Sequence, residues 1–137
     1  MKEIFVDTSG WMACADSGDQ HHEKSLLERN AWLASGGRLV LTDYIIDETL
    51  TLIRMRLGLK AAKLWWGAVS TSARVVSIVV DSSDLDAARE IFFKFKDKEF
   101  SFTDCTSFAV MKKRRIRMAL STDRHFEQAG FRCLPKK

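Results

Sequence analysis

The chain has 137 residues, of which 46% are hydrophobic, so it can bury one core, and we expect a single domain over residues 1–137. Its first residues become acidic too soon for a signal peptide, and no apolar run is long enough for a membrane span. These features predict a soluble, cytoplasmic protein, and three cysteines without a Cys-x-x-Cys pair indicate neither a disulfide framework nor a thiolate zinc site.

Positive charge is concentrated toward the C-terminus. The net charge is +4, yet residues 1–93 hold 10 Lys and Arg against 13 Asp and Glu, while residues 94–137 hold 12 against 5. The centre of the basic part is the run from Lys112 to Arg117. Such a run could neutralise nucleic-acid phosphates, and it could also be a solvated helix end that complements the helix dipole. Taken alone, the run favours the helix end.

Short apolar strands alternate with helical segments along the chain. The pattern predicts strands at residues 4–6, 39–41, 75–80, 118–120 and 131–134, and helices at 11–16, 21–34, 42–57, 59–70, 84–95 and 103–113. In the second helix, Leu26, Leu27, Ala31 and Leu33 are expected to form the buried side. Strands separated by helices indicate a parallel sheet covered on both faces. The sequence therefore predicts an α/β fold with four to five central parallel strands.

Four acidic residues lie where such a sheet gathers its loops. Asp7 follows the first strand, Asp123 follows the fourth, and Glu48 and Asp104 lie in the opening turns of helices. Two carboxylates 4 Å apart repel by about 4 kcal/mol at an effective dielectric near 20, so a cluster needs a divalent cation or raised pKa values. Hard oxygen ligands select Mg²⁺, with Mn²⁺ as a plausible substitute.

Each acid also has a structural explanation. Asp7, Asp104 and Asp123 all occupy positions typical of helix or turn caps. Glu48 lies closer than its neighbour Asp47 to the apolar stripe of its helix, but a glutamate at such a border is usually solvated. Capping does not predict that all four acids share one edge of the sheet, so the expected convergence is what favours a metal pocket.

Several residues near the acids, and two tryptophans, carry weaker indications of function. Hydroxyls could orient the carboxylates, although capping explains most of them as well; these are Thr8, Ser9, Thr103, Ser121 and Thr122. His125, next to Phe126, is expected to pack a turn. Trp65 and Trp66 are expected in the core, and whichever of them is exposed could anchor a partner contact.

Four segments, taken together, resemble the PIN-domain ribonucleases, and in particular the VapC-type toxins of toxin–antitoxin pairs. They are residues 4–9, 42–48, 101–107 and 121–126. Each carries one acid that matches an acidic position of the family pattern: Asp7, Glu48, Asp104 and Asp123. The resemblance spans the whole chain in the correct order and implies a PIN-like domain.

The resemblance also implies an activity and partners. The expected reaction is cleavage of RNA by a metal-activated water, with the four acids as catalytic and metal-binding residues and Asp7 and Asp104 holding the principal Mg²⁺ or Mn²⁺. The expected partners are an RNA substrate, a small antitoxin and a second copy in a homodimer. The basic C-terminal region would position the RNA backbone.

Two alternatives remain open from the sequence. One is a housekeeping RNA-processing nuclease with the same pocket. The other is a non-catalytic regulatory or binding module with an acidic pocket, such as a phosphoacceptor receiver domain. Receivers usually carry two adjacent acids after the first strand, whereas Thr8 and Ser9 follow Asp7 here. A dehalogenase-type phosphatase would need a second acid at the position of Ser9.

Overall fold

Five short strands form one fully parallel sheet in the computed structural model, which describes residues 2–136. The strands are β1 (Glu3–Val6), β2 (Arg38–Thr42), β3 (Val75–Ile78), β4 (Met118–Leu120) and β5 (Arg132–Leu134). Their order across the sheet is β3-β2-β1-β4-β5, and every pairing is parallel. The predicted α/β fold with a central parallel sheet is therefore confirmed, including the fifth strand.

Within residues 2–136, seven helices connect and cover these strands. They are α1 (Thr8–Ala15), α2 (His22–Ala34), α3 (Asp43–Leu57), α4 (Leu59–Thr71), α5 (Ser82–Lys94), α6 (Phe102–Arg114) and α7 (Arg124–Gln128). In the central strand, the successive residues Phe5 and Val6 are both 0% exposed. Because successive side chains of a strand point to opposite faces, this burial shows that both faces of the sheet are covered.

The strand order places a crevice beside the end of β1. The chain leaves β1 for β2 on one side and later returns to β4 on the other, so the order reverses between β1 and β4. Val6 pairs with Leu120, which brings the residues that follow, Asp7 and Ser121, next to each other. Open parallel sheets bind ligands at such a switch point.

Two of the element boundaries that differ from the predicted ones lie where a side chain accepts a hydrogen bond from a backbone N–H group. Helix α1 begins at Thr8, three residues earlier than predicted, because the Asp7 side chain caps it. Strand β3 ends at Ile78 rather than at residue 80. Val79 is 73% exposed, and the backbone N–H of Val80 donates to the Asp43 carboxylate, so the chain has already left the sheet.

The predicted buried side of α2 is partly wrong. Leu26 and Leu33 do pack against the core, but Leu27 is 70% exposed and Ala31 is also exposed. The centre of the buried face is Ser25, at 0% exposure. A small side chain there lets the helix approach the sheet closely, so the face turns toward a position that hydrophobicity does not mark.

The cysteine side chains lie in or beside the core. Cys14 and Cys105 are buried free thiols and Cys133 is half-buried, as expected for small apolar side chains. Within residues 2–136, no helix combines the length and the apolar character needed to cross a membrane.

Candidate active site

One groove at the carboxyl end of the central strands contains all four predicted acids on its wall. Its volume is about 380 Å³. Asp7, Glu48, Asp104 and Asp123 come from four separate segments and line it together. The convergence expected from the strand ends is thus observed. The rest of the wall includes apolar side chains of α1 and α3 and two charged residues that the sequence pattern did not indicate: Met12, Ile45, Leu52, Asp19 and Arg56.

Asp7 lies at the bottom of the groove and is only 4% exposed. Its Oδ1 accepts hydrogen bonds from the backbone N–H of Gly10 and the hydroxyl of Ser9, both at 2.8 Å. Its Oδ2 accepts a bond of 2.8 Å from the hydroxyl of Ser121. Asp7 is therefore both the cap of α1 and a rigidly held carboxylate in the groove, so the two explanations of this residue are compatible.

Burial makes the negative charge of Asp7 costly. Loss of hydration raises the pKa of Asp7 from 3.8 to about 7, even though the hydrogen bonds from Gly10, Ser9 and Ser121 act in the opposite direction. The nearby charge of Asp123 raises this pKa further. A carboxylate in such surroundings favours either a proton or a cation beside it.

Hydroxyls join α1 to the loop after β4 beneath the acids. The Oγ atoms of Ser9 and Ser121 lie 3.2 Å apart, and the backbone N–H of Thr122 donates to Ser9 at 2.9 Å. This approach requires Gly10, because a Cβ there would lie 2.2 Å from the carbonyl oxygen of Leu120. Two of the five predicted hydroxyls, Ser9 and Ser121, thus orient an acid directly.

Asp104 and Asp123 meet around His125. The His125 Nδ1 lies 2.9 Å from Oδ2 of Asp104 and 3.3 Å from Oδ1 of Asp123. The expectation that His125 packs a turn is only half right. Its ring does contact Phe100 edge-on, with centroids 5.7 Å apart, but its nitrogen faces the two carboxylates. No local sequence pattern predicts this contact, because Asp104 and His125 belong to different segments.

The Asp104 carboxylate is also held by a backbone hydrogen bond. It lies in the first turn of α6, where it forms a capping box with Ser101, and its Oδ2 accepts the backbone N–H of Ser101 at 3.1 Å. Loss of hydration raises the pKa of Asp104, and the charge of Asp123 adds to this effect. The hydrogen bonds from Ser101 and His125 lower the pKa in part.

Glu48 and Arg56 form the α3 side of the groove. Glu48 is exposed and lines the groove, whereas its equally acidic neighbour Asp47 does not, as the helical position of each had predicted. Arg56 lies eight residues further along the same helix, and extending the stripe of Ile45, Glu48 and Leu52 would have found it. Asp19 comes from the loop before α2, and no sequence signal marks it.

The donor set fits a hard divalent cation. Ligand atoms of Asp104, Asp123 and His125 all lie within 4.8 Å of one another. Carboxylate oxygens suit Mg²⁺ and Mn²⁺, while an imidazole nitrogen is better accepted by Mn²⁺ than by Mg²⁺. Burial raises the pKa of Asp7, so a cation beside this carboxylate would offset the cost of its negative charge. The residues present therefore fit a metal site.

The conspicuous basic run lies at the other end of α6. Arg114 is ten residues after Asp104, which corresponds to about 15 Å along the helix. It pairs with Glu3 at the start of β1 at 2.8 Å, and Lys113 pairs with Asp81 and Asp84 at 3.3 and 3.4 Å. These contacts favour the helix-end interpretation, and they do not support a direct role of the run in positioning RNA at the groove.

Comparison with known proteins identifies sequence relatives. The 23S rRNA-specific endonuclease VapC20 of Mycobacterium tuberculosis is 35% identical over 129 residues, which cover 93% of this chain and 95% of the relative. A VapC ribonuclease of Archaeoglobus fulgidus is 30% identical over 125 residues, covering 89% of this chain and 78% of that protein.

Solved structures and a family model agree with this relationship. The crystal structure of Mycobacterium tuberculosis VapC20, described as a sarcin–ricin loop cleaving toxin, has a TM-score of 0.84 at 34% identity and covers 93% of this chain and 95% of that one. FitAcB from Neisseria gonorrhoeae, at 15% identity, a TM-score of 0.69 and 95% coverage of both chains, shares the fold. The PIN domain model matches residues 4–132. This chain therefore belongs to the PIN domain family.

Proposed function

We propose that this protein is an endoribonuclease of the VapC type that hydrolyses RNA phosphodiester bonds with the help of a divalent ion. The observation that carries the proposal is the convergence of Asp7, Glu48, Asp104 and Asp123 in one groove. Its relatives are named as ribonucleases, and VapC20 is named as specific for 23S rRNA. We therefore take ribosomal RNA as the first substrate to test.

In this proposal the acids hold Mg²⁺, or Mn²⁺ in its place. Asp7 and Asp104 hold the principal ion, and Asp123 and Glu48 complete the pocket. When bound, the ion supplies positive charge that stabilises the phosphate oxygens in the transition state and makes water a stronger nucleophile. The preference for one of the two ions depends on whether His125 lies within reach of the ion.

The side chains of the groove have different tasks. Asp7 is fixed by three hydrogen bonds, so its carboxylate does not have to be ordered when a ligand binds. His125 holds the Asp104 carboxylate at Oδ2, which orients it toward Asp123. Glu48 stands at the solvent side, where its carboxylate can receive the proton that the attacking water loses.

The proposed biological role is that of a cytoplasmic toxin. Its partners are then a small antitoxin and a second copy of the chain, as the VapC resemblance implies. Exposed apolar side chains on α3 and α4 support a protein partner: Met55 is 75% exposed, Leu64 is 67% and Trp66 is 43%. Growth arrest on expression, relieved by a protein encoded next to the gene, separates a toxin from a housekeeping nuclease.

The nuclease activity can be tested on ribosomal RNA. We expect the protein, incubated with ribosomes or total cellular RNA and Mg²⁺, to produce discrete new ends that can be mapped by primer extension. EDTA should abolish these ends, and so should the variant Asp104→Asn, which keeps the size of the side chain. Equal cleavage by Asp104→Asn at equal purity would contradict the proposal.

Metal binding can be tested by thermal unfolding. At about 100 times its dissociation constant, an ion that binds only the native groove stabilises the fold by about 2.7 kcal/mol, or roughly 5–10 °C for a domain of this size. We expect Mg²⁺ or Mn²⁺ to produce such a shift. The control combines Asp7→Asn, Glu48→Gln, Asp104→Asn and Asp123→Asn. A shift of the same size in the control would place the ion elsewhere.

A further inference from the structure

The groove presents an electrostatic problem for an RNA substrate. Among the residues lining it within the described part of the chain, five are carboxylates and one is a cation, Arg56. RNA is a polyanion, and a bound divalent ion offsets only part of this charge. We propose that Arg56 binds an RNA phosphate next to the scissile one and thereby positions the strand along α3. The inference rests on the nuclease function proposed above and adds a positioning residue to it.

The position of Arg56 fits this role. It follows Leu52 by four residues and Glu48 by eight, so the three side chains share one face of α3. Eight residues correspond to about 12 Å along a helix, so the Cα of Arg56 lies about that far from the Cα of Glu48. Arg56 is therefore placed to contact a neighbouring phosphate and not the reacting one. Leu52 can support the aliphatic part of the arginine at the groove wall.

Arg56 is also available for a ligand. It is exposed, and within residues 2–136 its guanidinium has no hydrogen-bond or ion-pair partner. Lys113 and Arg114 of the basic run, in contrast, are paired with acids of the fold. A free guanidinium offers a planar pair of donors that matches two phosphate oxygens.

A structural explanation competes with this role. Arg54 and Arg56 both lie in the last turn of α3, where cations complement the helix dipole. Arg54 is exposed too, but it does not line the groove. The two arginines differ mainly in their access to the groove, so Arg54→Gln is a matched control for Arg56→Gln. A dipole effect would be lost in both variants alike.

The test measures RNA binding in protein that carries Asp104→Asn to prevent cleavage. The probe is a fluorescent oligoribonucleotide with the sarcin–ricin loop sequence, and binding is followed by anisotropy at several salt concentrations. We expect Arg56→Gln to weaken binding about 10-fold or more and to reduce the salt slope by about 0.7, the value for one single-strand phosphate contact. Arg56→Lys, which keeps the charge, should keep the slope, and Arg54→Gln should change neither quantity.

Three results would overturn the inference. These are an unchanged affinity and slope in Arg56→Gln, an equal loss in Arg54→Gln, or no salt-dependent RNA binding in the Asp104→Asn protein. Melting temperatures of the two glutamine variants are measured in parallel and should match. Cleavage of total RNA by the unsubstituted protein tests the nuclease function separately, because the phosphate contact is judged on binding alone.

Discussion

Replacing the deepest acid of the groove, in the variant Asp7→Asn, is expected to lower RNA cleavage at least about 100-fold while the protein stays folded. Changes beside a metal ligand typically cost 10–100-fold, so the loss of a proposed ligand should cost at least as much. The amide has nearly the size of the carboxylate and can still accept the hydrogen bond of Gly10. In metal-free buffer at pH 8 it also removes a buried charge.

The melting temperature of metal-free Asp7→Asn should therefore equal or exceed that of the unsubstituted protein at pH 8. A suitable control is Asp47→Asn, because Asp47 is an exposed acid of α3 that does not line the groove. This control should keep full cleavage. Retention of cleavage in Asp7→Asn would remove Asp7 from the proposed role, and a collapse of its fold would contradict the expected stability.

The free energy of unfolding of the metal-free protein is expected to depend strongly on pH. The pKa of Asp7 rises from 3.8 in the unfolded chain to about 7 in the fold, so the folded state binds this proton more tightly. The stabilisation that the protonated Asp7 side chain contributes is complete below about pH 4 and is lost as the pH rises through about 7. The difference between the two pKa values corresponds to roughly 4 kcal/mol. The raised pKa of Asp104 acts in the same direction.

This contribution can be isolated by comparison with Asp7→Asn. Urea unfolding in EDTA should show that the stability of the variant, relative to the unsubstituted protein, increases between about pH 4 and 7 and then stays constant. Because the ion binds the ionised carboxylate, Mg²⁺ affinity should rise over the same pH range. A stability difference that does not depend on pH would show that Asp7 ionises as readily in the fold as in the unfolded chain.

The sequence was informative about elements and less so about their arrangement. Apolar runs predict the strands, most clearly β1 and β2, because a strand covered on both faces is continuously apolar. The order β3-β2-β1-β4-β5 depends on contacts between distant segments, which no local pattern encodes. The buried face of α2 was misassigned because Ser25, and not a leucine, lies at its centre.

The candidate site, too, was predictable only where local sequence patterns mark its residues. The acids were recognisable because strand ends and helix starts meet at one edge of a parallel sheet. His125 joins the site only through the packing of α7 beside Asp104, so it did not stand out in the sequence. Arg56 continues the α3 stripe beyond Leu52, where the prediction had stopped. The basic run from Lys112 to Arg117 gave the strongest charge signal, yet α6 carries it away from Asp104.

The central claim is that the converged carboxylates hold a divalent ion. It is tested most directly by growing crystals of the protein with MnCl₂ and measuring anomalous diffraction at the manganese edge. The account predicts an anomalous peak in the groove, within bonding distance of carboxylate oxygens of Asp7 and Asp104. Manganese bound only at other places on the protein, with this groove empty, would contradict it.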